Sequence, residues 1–200
     1  YAWRRSIPKY RFRNVEYKEP FWDGGQLNGK TLFVYPEQGL GDSIQFIRYL
    51  PALTSLGARV LLETPPELLR LFQNIPLPIE IVLPGDPIGQ FDCHTSLLDL
   101  PRLLDTSLET IPSYKSYLQA PSELIKTWAD RIGPRTVFRL GIVWAGNQKH
   151  MHDHSRSFEA TLIKPLVEMT GISVFSLQVG RTGEALDVFG SKITDLAPFL

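Results

Sequence analysis

A single cysteine, Cys93, occurs in the 200 residues, so no internal disulfide can form. That points to a reducing, cytoplasmic setting. No apolar run approaches the roughly 20 residues that cross a bilayer as a helix, so no transmembrane segment is expected. The opening stretch, residues 1–13, is basic and aromatic and lacks the apolar centre of a signal peptide. Neither sign of charge is in excess: Lys plus Arg and Asp plus Glu number 21 each, for a formal net charge of zero. A nucleic-acid binder would carry a basic surplus to neutralise phosphates, so nucleic acid is not expected as the main partner. Aromatic and basic residues do interleave before Gly29, as on single-strand-binding surfaces, but Glu16, Glu19 and Asp23 lie among them.

What remains is ordinary for a globular chain, with 43% hydrophobic residues and enough length for one large or two modest domains. Short apolar runs at 32–35, 58–63, 79–83 and 91–98 read as strands. Helical patterns fall between them, at 43–56 and 65–72, with a Leu-rich segment up to residue 104. Pro51 should kink the first helix or end it early. A second series follows: a helix over 121–132 stopped by Gly133-Pro134, a strand over 139–144, a helix near 158–169 and a strand over 172–177. A further short helix is expected from Glu184. Strands alternating with helices at this spacing predict an α/β fold with mostly parallel sheets and helices on both faces. The organisation expected is a lead-in over 1–29, an α/β domain over 30–120, a connecting helix over 121–136 and a second α/β domain over 137–200. Aromatics of the lead-in, among them Tyr1, Trp3, Tyr10, Phe12, Tyr17, Phe21 and Trp22, should pack on the first domain. The chain opens without methionine and stops after the apolar stretch 193–200, so a longer polypeptide with an incomplete second domain is expected.

The stretch after the first strand carries the chemistry. Gln38, Gly39, Leu40, Gly41 and Asp42 form a glycine-bearing turn before a helix. The glycines should allow a sharp turn and a close backbone approach to a ligand. Yet the turn lacks the Gly-Lys-Ser/Thr ending of a phosphate loop, and the third glycine of a dinucleotide fingerprint is missing. Asp42 would repel a phosphate from the donors of a helix start. A carboxylate there suits a neutral hydroxyl group, as acceptor or general base. The alternative is that Asp42 only caps the helix, with Gln45 completing a capping box.

The loop after the strand over 139–144 has the opposite sign. Asn147, Lys149, Arg156 and Ser157 stand with His150, His152 and His154 before a helix, a combination that suits a phosphate or diphosphate. An exposed basic loop without a ligand is the other reading. The alternating histidines share a face only if the loop is extended, and no Cys or carboxylate at zinc spacing completes a set, so no metal site is expected. Cys93 adjoins His94, but strand neighbours point to opposite faces, so a buried thiol is favoured over a nucleophile. His94 reads as a satisfied core or rim histidine.

Several blocks resemble bacterial tetratricopeptide-repeat proteins that carry a glycosyltransferase-like domain similar to the heptosyltransferases. They are residues 1–4, 21–24, 27–30, the run Glu37-Gln38-Gly39-Leu40-Gly41-Asp42 continuing to Tyr49, residues 141–147, Arg156-Ser157 and Ser176-Leu177-Gln178. The resemblance implies a GT-B arrangement: two Rossmann-like domains across a cleft, the first for the acceptor and the second for a nucleotide sugar. It places the family's Gly-Asp pair on Gly41-Asp42, with the aspartate as base toward the acceptor hydroxyl. The donor-phosphate contact falls on Arg156, with Lys149 second. The implied activity is metal-independent, inverting transfer from a nucleotide sugar, used as substrate and not as cofactor, to a saccharide or protein hydroxyl. The implied partner within the chain is a set of upstream repeats, of which residues 1–5 would be the last helix. The family's later strand-end motif, an Asp-Thr pair with a histidine a few residues on, does not occur up to Leu200. A non-catalytic GT-B-like binding or scaffold module is therefore the second expectation, and a nucleotide-sugar epimerase the third.

Overall fold

The computed structural model describes residues 3, 7, 17–114, 116–147, 151–180 and 188–200. The chain divides into two compact units, Tyr1–Ile125 and Lys126–Leu200, each an α/β unit with a parallel sheet.

In unit 1 the strands β1 (Thr31–Tyr35), β2 (Arg59–Glu63), β3 (Ile79–Val82) and β4 (Cys93–Ser96) form one sheet in the order β3-β2-β1-β4. Every pairing is parallel, with Phe33 beside Leu61 on one side and His94 on the other. Side chains alternate across the pleat. Leu32, Val34, Val60, Leu62 and Cys93 enter the larger apolar cluster, and Phe33, Tyr35, Leu61 and Val82 enter a smaller one.

The helices of unit 1 follow the strands: α1 (Leu40–Phe46), α2 (Leu50–Ser55), α3 (Leu69–Phe72) and α4 (Leu100–Leu103). All four send their apolar residues into the larger cluster, through Ile44, Leu50, Leu53, Phe72, Leu100 and Leu103. Helices on both faces were expected. The handedness of parallel crossovers explains the difference. The steps β1 to β2 to β3 run in one direction and put their helices on one face. The return from β3 past β1 to β4 must cross the other face, and that connection contains no helix. Ile88 and Phe91 from it, with Tyr17 from the lead-in, cover the second face instead.

Pro51 acts as its chemistry requires. Its ring cannot sit beside the carbonyl four residues back, at Ile47. The α-helix stops at Phe46, a 3₁₀ turn spans Ile47–Tyr49, and α2 restarts at Leu50 with Pro51 in its first turn.

The lead-in is built into this unit. Phe21 pairs with His94 in a parallel bridge, the Trp22 N–H donates to the His94 carbonyl at 2.8 Å, and Trp22 is 3% exposed. The expected packing therefore holds for Tyr17, Phe21 and Trp22, whereas Trp3 is 83% exposed. Tyr1, Tyr10, Phe12 and the helix expected at residues 1–5, Trp3 apart, lie outside the described residues.

Unit 2 holds β5 (Phe138–Ile142), β6 (Ile172–Ser176) and β7 (Ile193–Asp195), parallel and in that order. β7 arises from the apolar stretch whose structure the sequence pattern left open. The helix α5 (Ser122–Ile132) falls where expected and spans the division between the units. The helix expected near 158–169 is shorter: a 3₁₀ turn, Ala160–Ile163, leads into α6 (Lys164–Val167) with Pro165 in its first turn. Ile163, Val167, Val174, Phe189, Ile193 and Trp144 make the core of this unit. The short helix expected from Glu184 lies largely outside the described residues. Among the described residues no helix is long and apolar enough to cross a membrane.

Candidate functional site

Unit 1 has its topological switch point between β1 and β4, which are neighbours although β2 and β3 lie between them in sequence. Ligands of open α/β sheets gather outside the strand C-termini at such a point. Two chain segments leave the sheet there. One runs from Tyr35 through the half-buried Gln38 to Gly39 and α1, and the other from Ser96 into a 3₁₀ turn over Leu97–Asp99.

The helix start differs from the expected one. Gly39, not Asp42, is the N-cap, and Asp42 is the third helical residue. Its Oδ2 accepts the Gly39 N–H at 3.1 Å, satisfying one of the orphan donors of the helix start. Gln45 has no capping part; its carbonyl accepts Arg48 Nε at 2.9 Å. The glycines also behave differently. Gly39 has an ordinary φ of −68°, and Gly41 lies inside α1 with open space where a Cβ would go. Neither supplies a left-handed turn. Asp42 remains half-buried at the strand mouth, and among the described residues it makes no other hydrogen bond or ion pair.

A second carboxylate stands at the same mouth. Asp99 is 1% exposed, accepts the Ser96 hydroxyl at 3.1 Å on Oδ2 and has Arg102 Nε 3.9 Å from Oδ1. Sequence reasoning passed over it, although the Ser-x-x-Asp spacing directly after a strand is a recognisable helix-start signal. Arg48 stacks its guanidinium on the Tyr117 ring, 4.9 Å from the centroid, and donates to the Tyr117 hydroxyl at 3.2 Å. That contact pins the loosely patterned segment before α5 to the helical region after β1.

His94 and Cys93 take opposite faces of β4, as alternation requires. His94 is half-buried between the rings of Tyr17 and Phe21, with Nδ1 3.4 Å from the Tyr35 hydroxyl. Cys93 is buried in the larger cluster, and burial pushes its thiol above the usual range. A thiol held protonated among apolar side chains is a poor nucleophile.

In unit 2 the corresponding mouth lies beyond Ile142 and Ser176. Gln178, 3% exposed, reaches across from the end of β6 to the loop after β5. Its Oε1 accepts the amides of Trp144 at 3.1 Å and Ala145 at 2.9 Å, and its Nε2 donates to the Val179 carbonyl at 3.0 Å. The next amide, Gly146, donates to Ser157 Oγ at 2.8 Å, and that hydroxyl donates to Asp153 Oδ1 at 2.8 Å. Asp153 is 9% exposed.

Of the residues expected to meet a phosphate, Asn147 and Arg156 are exposed, and Lys149 lies outside the described residues, as does His150. Ser157 gives its single proton to Asp153, so it has none for a phosphate oxygen. The helix N-terminus invoked for that loop is replaced by a 3₁₀ turn capped by Glu159, which offers little dipole and a negative charge. His152 and His154 flank Asp153 in a turn, their ring centroids 6.3 Å apart, and not on one face of an extended loop. Among the described residues no group of three or more His, Cys, Asp or Glu is placed to hold a metal ion.

Compared with known proteins, the chain is 26% identical over 203 residues to Protein FlbA of Caulobacter vibrioides, an alignment covering 90% of this chain and 33% of FlbA. The chain thus spans about a third of the length of that curated relative. No family model matches, and no solved structure matches.

Proposed function

We propose that the chain belongs to a metal-independent, inverting glycosyltransferase of GT-B type, with unit 1 serving a hydroxyl acceptor and unit 2 a nucleotide sugar. The observation that carries the reading is Asp42, a half-buried carboxylate at the switch point, held by the Gly39 amide through one oxygen only. A base needs a fixed orientation and an unoccupied lone pair, and this arrangement supplies both. In the reaction the acceptor O–H proton passes to Asp42 as the acceptor oxygen attacks the anomeric carbon. The bond from that carbon to the diphosphate breaks, and the nucleoside diphosphate leaves with the electron pair. Arg156, helped by Lys149, neutralises the departing charge, and Asn147 lines the same mouth. The acceptor is a saccharide or protein hydroxyl, and tetratricopeptide repeats upstream in the same polypeptide present it.

A second reading, a non-catalytic binding module on the same fold, is favoured by the state of unit 2. The amides of Trp144, Ala145 and Gly146 are all engaged within the protein, so these three offer a diphosphate no backbone cradle.

Asp42→Asn in the full-length polypeptide separates the two. Asparagine can still accept the Gly39 N–H, so the helix start survives while the base is lost. Transfer should fall by about 10²–10⁴-fold, the usual worth of a general base. Calorimetric titration with a panel of nucleoside diphosphates and their sugars should find donor affinity unchanged. Asp42→Ala should abolish transfer equally and cost a further ~1 kcal/mol in stability from the lost hydrogen bond to the Gly39 amide. Retained transfer in the Asn variant, or a collapse of donor affinity, removes Asp42 from its assigned role.

A further inference from the structure

We infer that Gln178 is a positioning residue that locks the backbone at the mouth of the second sheet, and that it thereby routes any anion bound there onto side chains instead of main-chain amides. The lock stands on the geometry of unit 2 alone. Its consequence for a ligand rests on the donor role proposed above.

A carboxamide oxygen has two lone pairs, and both are used on consecutive amides, at 3.1 Å from Trp144 N and 2.9 Å from Ala145 N. The other end of the group is tied by Nε2 to the Val179 carbonyl, and the Gln178 amide itself reaches Ser176 Oγ at 3.3 Å. The side chain therefore cannot rotate without releasing three bonds inside a nearly solvent-free site. Ser157 takes the third amide, Gly146, and Asp153 fixes Ser157. The loop fits closely against that second tie: a Cβ on Gly146 would lie 3.0 Å from Asp153 Oδ1. Three successive amides are thus spent.

Anion cradles in other folds work by presenting successive free N–H groups. A backbone N–H has one proton, and here each is already given away. A phosphate at this mouth meets the exposed Arg156 and Asn147, so its binding should be steeply salt-dependent, as expected of exposed charge pairs. Few side chains other than glutamine suit the position. Asparagine is a methylene short, and glutamate keeps both amide contacts but loses the donor to Val179.

The test uses the full-length polypeptide and two variants, Gln178→Met and Gln178→Glu. Hydrogen–deuterium exchange read on peptides covering residues 143–147 should lose protection in the methionine variant and keep it in the glutamate variant, which still accepts both amides. Peptides from the rest of β5 and β6 should match wild type in both. Titration with UDP and GDP at low and high salt should find binding in the methionine variant at least about twofold less salt-sensitive than in wild type, because the released Trp144 and Ala145 amides can then share the anion with the exposed side chains. Unchanged protection in Gln178→Met overturns the lock, as does equal loss in Gln178→Glu, which would assign the effect to the Nε2 donor to Val179 and not to the two amide contacts. An unchanged salt dependence of nucleotide binding beside lost protection overturns the ligand consequence. Should wild type bind neither nucleotide, the donor role of unit 2 falls, and the exchange measurement alone decides the lock.

Discussion

Trp22→Ala measures how far the segment before β1 belongs to the fold of unit 1. The indole is 3% exposed and sits in the larger cluster with Leu27, Leu32, Leu100 and Leu103. Its Nε1 donates to the Gly25 carbonyl at 3.0 Å. Truncation removes the ring and that bond but keeps the backbone pairing to His94, which alanine makes equally well. Emptying such a site costs about 3–5 kcal/mol, because the surroundings relax only partly into the cavity. Against a total stability of roughly 5–15 kcal/mol for a domain, that is a large share. At about 4 °C per kcal/mol for a unit of this size, the midpoint should fall by about 12–20 °C. Urea and thermal unfolding followed by far-ultraviolet circular dichroism would read this without relying on tryptophan emission. Trp3→Ala is the control, since Trp3 is 83% exposed and its loss should lie within about 0.5 kcal/mol. A cost below about 1 kcal/mol for Trp22→Ala would refute the reasoning and make the lead-in a peripheral strap.

Cys93 should resist alkylation by iodoacetamide in the native protein and react only on unfolding, because burial disfavours its thiolate. The same shift fixes the sign of a pH effect. The folded thiol ionises above its unfolded value, so its contribution to stability is complete below the usual thiol range and lost as pH rises through the folded value. Alkaline unfolding curves of wild type and Cys93→Ala should therefore converge as pH increases. Gly24 and Gly85 make a second pair. Both have φ near +95°, but a Cβ on Gly24 would lie 2.8 Å from the Leu103 carbonyl oxygen, whereas nothing lies within 4 Å of one on Gly85. Gly85→Ala should cost the left-handed strain alone, about 1 kcal/mol, and Gly24→Ala clearly more; equal midpoints in urea would show that the Leu103 contact yields freely.

Strand positions were legible because the apolar runs are short and bounded by glycine and proline. The runs at 32–35, 58–63 and 79–83 match β1, β2 and β3 to within a residue or two. Helix starts were not legible to the same degree. At α1 the local choice lay between Gly39 and Asp42 as cap, and both residue types are good ones. Propensity favours aspartate, but capping at Gly39 lets Asp42 bond back to it, a reciprocal contact visible only once the chain is folded. Pro51 and Pro165 shortened their helices through a clash that sequence states plainly, yet how each break is absorbed, by a 3₁₀ turn in both cases, depends on what packs around it.

The candidate sites divide along the same line. That chemistry should gather near Asp42 follows from a strand, a turn and a helix in succession, because a parallel sheet delivers its loops to one edge. Charge counting in the second loop was less informative, because it ignored where the polar atoms are spent. Ser157 was read as a ligand group and Gln178 only as part of a resemblance, but Ser157 closes onto Asp153 and Gln178 consumes two amides. Donors and acceptors at a strand mouth are a conserved quantity: each proton given to a neighbouring side chain is withdrawn from a ligand. Among the described residues, the first mouth leaves one oxygen of Asp42 unspent beside the sheet, whereas the second presents the exposed Arg156 at its surface. On the proposed function, an acceptor held in unit 1 would be gripped directionally and a nucleotide held in unit 2 would lean on exposed charge, and the salt dependence of nucleotide binding is the measurement in which that asymmetry would appear.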